Sequence, residues 1–362
     1  MITHFVLLYI QYIYFVLFAI FLGTRSEALW DAEDERRVAR VAQRLDSVAR
    51  AAAAAQVGLL VDAEQTYFQP LIDAFVVDMQ RAHNTTAATV WNTYQCYLRD
   101  APARVAADLA LAKREGWVWA AKLVRGAYMD TERIRAESLG QPSPVWDTIE
   151  QTHASYFATT DLVLDALIAS IDASAPVVNT VASSGAGAPA AAAAAETPMN
   201  IGTSSAAAAP EPRVALLIAS HNQTSLEHVA SRLESLASDG IHTPAQVAAV
   251  RGNVCFGQLL GMADHLTYTL ARHGLRAFKY VPYGPVMDVL PYLIRRAKEN
   301  SNMLGGVGIE RRMLWGEIKR RAAAALTGGL FASSTAAASK AASGAAAAAA
   351  AAVGPAAHHT HA

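Results

Sequence analysis

Six short apolar runs, each followed by a segment of helical length, constrain the fold of this chain more than any other feature. The runs are "VGLLVDAE" (57–64), "TVWNTYQCY" (89–97), "WAAKLVRGAY" (119–128), "VALLIASHN" (214–222), "VAAVRGNVCFGQLLG" (247–261) and "AFKYVPYG" (277–284). Between them lie segments such as "PLIDAFVVDMQRAH", "RDAPARVAADLALAKREG" and "TSLEHVASRLESLASDG". A strand that is apolar along its whole length is buried on both faces, and parallel strands joined through helices meet that condition. The pattern predicts a parallel sheet covered by helices, either a barrel or an open doubly wound sheet.

Other regions stand apart from this alternation. Residues 31–56 carry charges and apolar side chains at helical spacing and predict an amphipathic helix. Phe5 to Leu22 is an 18-residue apolar run broken by Gln11, about the minimum for spanning a bilayer. It lacks the basic start of a secretory signal and the Arg-rich pattern of a transit peptide. Residues 1–30 are therefore set apart as a segment of unknown role: a membrane anchor, a buried segment or a wrongly joined reading frame. Residues 175–211, rich in Ala, Gly, Ser and Pro, predict a disordered insertion, and 321–362 an Ala-rich disordered tail. His358, His359 and His361 in that tail have no carboxylate or cysteine partner nearby, and no metal site is expected.

Bulk charge excludes one class of function. With 30 Lys and Arg against 31 Asp and Glu, the net charge is -1. No basic block or aromatic-basic stripe marks a nucleic-acid site. The two cysteines, Cys96 and Cys255, form no CxxC pair and read as small buried hydrophobes.

In a parallel αβ fold, chemistry collects at the carboxyl ends of the strands. Polar residues collect there in this chain: Asp62 and Glu64, Asn92 and Gln95, Lys122, Arg125 and Tyr128, His221 and Asn222, Gln258, and Tyr280. Taken singly each has an ordinary structural role; Asp62 or Asn222 could cap the following helix and His221 could be a satisfied core histidine. The stretch "FKYVPYGPVMDVLPYLIRRAKENSNML" adds a strand, a Pro/Gly turn and a helix. Val286, Val289, Leu290, Leu293, Ile294 and Ala297 fall near helical spacing, predicting a helix packed on a core, and Arg295 and Arg296 interrupt it. No P-loop, GxGxxG, GxSxG or HExxH signature is present. The cationic set of Lys122, Arg125, Arg295 and Arg296, with Asp62 as countercharge, predicts an anionic ligand.

The motifs "LLVDAEQTYFQP", "NTYQCYL", "KLVRGAY", "ASHN", "FGQLLGM", "VPYGPVM" and "LPYLIRRAKEN" occur in order, and together resemble proline dehydrogenase of the mitochondrial, eukaryotic type over residues 57–320, apart from the insertion at 175–211. The resemblance implies a (βα)8 TIM-type barrel with FAD across the carboxyl ends of the strands. It implies oxidation of L-proline to Δ1-pyrroline-5-carboxylate by hydride transfer to flavin N5, with electrons passed to a membrane quinone. It implies a place on the matrix side of the mitochondrial inner membrane, although no presequence is recognisable. Carried over by motif, Arg295 and Arg296 clamp the proline carboxylate, Asp62 pairs with Arg295, and Tyr280 and Leu259 contact the proline ring. A tyrosine at 280 resembles the proline-specific form, since hydroxyproline-oxidising relatives carry a smaller residue there. Lys122 lies near flavin N5 and Arg125 near the pyrophosphate, while Asn92, Tyr128, His221 and Glu299 complete the cofactor pocket.

The chain also departs from the family pattern. The family barrel begins with two further strands, the second carrying a lysine that completes the carboxylate clamp, and no such strand is visible before Val57. Six strands then form an incomplete barrel: either the apolar N-terminus fills the gap poorly, or the chain is a truncated form or a misassembled reading frame. The alternative to an active enzyme is a non-catalytic, degenerate relative tethered to a membrane through residues 5–22. A third reading, an aldolase-like barrel with Lys122 as Schiff base, explains one lysine and none of the other motifs.

Overall fold

A computed structural model of the protein describes residues 5–8, 32–174, 213–301 and 307–326. The insertion expected at 175–211, the three tail histidines and residues 9–22 of the apolar run lie outside the described residues. The chain divides into two compact units, Met1–Val281 and Pro282–Ala362.

The first unit is an α/β structure built on one parallel sheet. Its strands are β1 (Phe5–Leu8), β2 (Gly58–Val61), β3 (Val90–Gln95), β4 (Trp119–Val124), β5 (Val214–Ala219), β6 (Val254–Leu259) and β7 (Arg276–Tyr280). They are hydrogen-bonded in sequence order, every pairing parallel. Strands that follow one another without reversal of order wind in one direction, which is the connectivity of a (βα) barrel wall. Among the described residues β1 and β7 each pair on one side only, so the TIM-type barrel is incomplete.

The helices of this unit are α1 (Ala32–Ala54), α2 (Gln69–His83), α3 (Ala101–Glu115), α4 (Met129–Ser138), α5 (Ile149–Ser174), α6 (Gln223–Ser238), α7 (Pro244–Asn253) and α8 (Asp264–Arg272). Several begin where the sequence pre-organises a first turn. Proline stands in the first turn of α2, α3 and α7, and Thr243 and Gln246 close a capping box at α7. Asn222 caps α6 by accepting the Ser225 N–H at 3.0 Å.

Outward side chains of the strands pack under these helices in two clusters. Trp119, Ala121, Leu123, Leu216, Ile218 and Phe256 meet Tyr156, Leu164 and Leu167 of α5 and Val229 of α6. Leu59, Val61 and Val90 meet Val41, Leu45 and Ala49 of α1 and Ile72 and Val76 of α2. Thus α1, which its charges set apart in the sequence, buries its apolar stripe against the same sheet. Helix α5 is long and apolar enough over Ile149–Asp172 to cross a membrane, yet Tyr156, Val163, Leu167 and Ile171 are fully buried against protein. Both cysteines are buried as expected, and burial pushes their thiols up to about 12.

Expectations are corrected near both ends of the chain. A strand does precede Val57: β1 pairs with β2 in register from Phe5↔Gly58 to Leu8↔Val61. Four residues within a long apolar run have no alternation or flanking turn of their own, so this strand carries no separate signal. It supplies no lysine. In the second unit, α9 (Val286–Ser301) forms where the spacing predicts, with Pro291 inside it. Helix α10 (Val307–Leu326) carries regular structure past residue 320, where a disordered tail was expected.

Candidate active site

The inner face of the sheet can be read from side-chain alternation. Leu60, Trp91, Ala120, Ala215, Leu217 and Cys255 form a cluster on the face without helices. Side chains two residues further along share that face, which places Asp62, Thr93 with Gln95, Lys122 and Leu259 at its carboxyl edge. Tyr280 joins them on β7, its Cα in register with Leu259.

Lys122 and Asp62 are an ion pair across β3, Nζ donating to Oδ1. Both are partly buried, the lysine at 13% and the carboxylate at 30% exposure, so the pair is shielded without being sealed. Thr93, in register with Lys122, lies between them and donates its hydroxyl to the Val61 carbonyl at 2.7 Å. Gln95 donates to the Glu64 carbonyl at 2.7 Å and accepts the Ala127 N–H at 3.3 Å. It thereby ties the loops that follow β2 and β4. The carboxylate assigned to Arg295 is thus bonded to Lys122.

Arg125 follows β4 and has an unusual set of partners. Its Nε donates to Nδ1 of His153 at 2.9 Å, Nη1 to Ser220 Oγ at 3.1 Å and Nη2 to Ser225 Oγ at 2.9 Å. The guanidinium lies over the Tyr156 ring at 4.5 Å. Every one of these partners is neutral. Burial lowers the Arg125 pKa, though an arginine remains charged throughout the physiological range. Two N–H donors, one on each Nη, have no partner among these contacts. Ser225 sits in the first turn of α6, so the cation and a helix N-terminus face one place, a pairing suited to an anion.

His221 accepts the Leu259 N–H on Nε2 at 3.0 Å, joining the ends of β5 and β6. That bond requires an unprotonated Nε2, and burial followed by the Lys279 charge lowers its pKa in agreement. Tyr128, half-buried, precedes α4. Leu260 N–H donates to the Tyr280 carbonyl at 3.0 Å, fixing the loop after β6 against the end of β7.

The structure does not bring Asn92 to this edge. Its amide donates to Asp73 of α2 at 3.0 Å and its carbonyl accepts the Thr93 N–H, on the helix side of the sheet. The residues of β3 that share the inner face are Thr93 and Gln95, and the period-2 rule applied from Trp91 would have found them. His153, Ser220 and Ser225 were also missed as partners of Arg125; Ser220 stands within "ASHN" but carries no charge signal. On α9, Arg296 lies over the Tyr292 ring at 5.4 Å, while the side chains of Arg295 and Glu299 lie outside the described residues.

The proline dehydrogenase family model matches residues 10–307. The chain belongs to the proline dehydrogenase family. It is 40% identical over 289 residues to human "Proline dehydrogenase 1, mitochondrial", covering 80% of this chain and 40% of that protein. It is 36% identical over 279 residues to "Hydroxyproline dehydrogenase" of Xenopus laevis, covering 77% of this chain and 49% of that one. The chain therefore spans about half or less of the length of these relatives. Among solved structures, proline utilization A (PutA) from Bdellovibrio bacteriovorus, inactivated by N-propargylglycine, superposes with a TM-score of 0.54 at 22% identity. That match covers 74% of this chain and 22% of the other, and it shows the fold. The family match includes α1, consistent with that helix packing on the barrel sheet.

Proposed function

We propose that the chain is the catalytic part of an FAD-dependent proline dehydrogenase, oxidising L-proline to Δ1-pyrroline-5-carboxylate and passing the electrons to a quinone at a mitochondrial membrane. The observation that carries this reading is Arg125: a partly buried cation held only by neutral groups, with two donors left over, at the first turn of α6. A partly desolvated charge without a countercharge carries a cost that an arriving anion offsets. The donor set fits a pyrophosphate. Ser220, Ser225 and Tyr128 lie around the same loops, and Lys122 stands on the adjoining inner face, where FAD supplies a hydride acceptor when bound.

The remaining roles belong to the chain's own residues. Oxidation removes a hydride from the proline carbon beside nitrogen and a proton from the nitrogen, leaving a C=N bond. A neutral bound amine loses that proton to water, so no dedicated base is needed. Lys122, held by Asp62, presents positive charge where negative charge develops. Tyr280 and Leu259 offer ring contacts at the ends of β7 and β6. The resemblance assigns the substrate carboxylate to Arg295 and Arg296 of α9, whose forked donors match it. A non-catalytic relative is the second reading, favoured by the outer edges of β1 and β7, which have no partner strand among the described residues.

The test is product formation with a soluble quinone as acceptor, the cyclic imine being trapped with o-aminobenzaldehyde. Wild type is expected to form the adduct from L-proline. Lys122→Met is expected to lower kcat/KM by about 100-fold, by removing a preorganised charge and leaving Asp62 unpaired. Equal rates in both chains, or no adduct in either, would contradict the assignment.

A further inference from the structure

We propose that His153 is a positioning residue that fixes Arg125 in the orientation receiving a cofactor pyrophosphate, so that flavin affinity depends on this imidazole. The inference rests on the flavoprotein reading above and adds a residue to it. A guanidinium presents its donors in one rigid plane, so the group holding Nε decides where both Nη atoms point. That group is His153 of α5, 28 residues along the chain, at 2.9 Å. The two serines and the Tyr156 ring hold the same plane from other sides.

The choice of imidazole has a chemical consequence. A carboxylate at this place would neutralise Arg125 and weaken its pull on an anion. Neutral histidine accepts through Nδ1, carries its proton on Nε2 and leaves the charge of Arg125 intact. Protonation would remove that acceptor and set a second cation against the first. The charged groups facing His153 are Arg125 from the loop after β4 and Glu150 from the preceding turn of α5; Ser220, just after β5, and Ser225 of α6 are the polar groups. Burial, then Arg125, lowers the His153 pKa, while Glu150 raises it. A histidine depressed on folding contributes stability that is complete above its unfolded value, about 6.5, and lost as pH falls through the folded value.

The experiment is titration of the flavin-free full chain with FAD, read by quenching of flavin fluorescence, between pH 5 and pH 8. His153→Leu is expected to weaken binding about tenfold at neutral pH, the loss of one hydrogen bond to a charged group. His153→Asn, whose Oδ1 occupies the place of Nδ1, is expected to restore affinity to within about threefold and to lack part of the acid fall seen in wild type. Equal affinity in His153→Leu and wild type overturns the proposal, as does an Asn variant as weak as the Leu variant. Parallel acid falls in wild type and His153→Asn overturn the pH dependence and assign it to His221. A wild-type chain that binds no FAD overturns the flavoprotein reading itself, a distinct outcome.

Discussion

An Arg125→Leu chain is expected to purify colourless, with FAD affinity reduced about a thousandfold while its melting temperature stays within a few degrees of wild type. Two charge-assisted hydrogen bonds to a phosphate are worth about 4 kcal/mol together, which is that factor in a dissociation constant. The fold should tolerate the change because no carboxylate depends on this arginine: its partners are His153, Ser220, Ser225 and the face of Tyr156. A leucine keeps an apolar stem against Tyr156 and leaves two hydroxyls that can turn to other acceptors. Arg125→Lys is expected to recover only part of the affinity, since a lysine has no fork with which to reach His153 and an anion together. Fluorescence titration and a thermal melt on the same preparations check both halves. Full flavin retention in Arg125→Leu would remove the observation on which the functional reading depends.

Gly126→Ala is expected to be the most damaging small substitution in the barrel, lowering stability by about 3–5 kcal/mol and the melting temperature by about 10 °C. Gly126 has φ of +140°, a region that L side chains rarely adopt. A Cβ built there would lie 1.5 Å from Cδ1 of Tyr97. The ring has little room to retreat: Tyr97 is 3% exposed, packs with Leu98, Ala101 and Val145, and its backbone bonds Arg125 and Trp146. The same loop aims Arg125, so the substitution should reduce flavin content along with stability. Pairing it with Tyr97→Ala removes the clash and leaves the φ penalty, so the double variant should lose less than the sum of the two single losses. Strict additivity would show that the contact is not the cause.

Most of the barrel was legible because six short, mainly apolar runs are each followed by a segment of helical length. β1 was not: Phe5–Leu8 sits inside an apolar run that satisfies the length criterion for a membrane span equally well. Motif order sufficed for the family, and it placed Asp62, Lys122, Arg125, His221 and Tyr280 at the carboxyl ends of strands. Motif membership alone does not specify which way a strand residue faces: Asn92 turns to the helix side, where it meets Asp73, and Gln95 to the inner face. Long-range partners were the least visible. Lys122 meets Asp62 across 60 residues, and Arg125 meets Ser225 across 100, distances over which local spacing carries no information. His153 had no signal at all, because a lone histidine within an apolar helix resembles any other solvated polar position.

The most direct measurement is the visible spectrum of the purified full chain before and after L-proline is added without oxygen. The account predicts a bound flavin band near about 450 nm that bleaches on addition of L-proline, hydride passing from substrate to cofactor within the seven-stranded sheet. A chain that stays colourless when FAD is supplied, or that keeps an unchanged flavin band in the presence of L-proline, would contradict it.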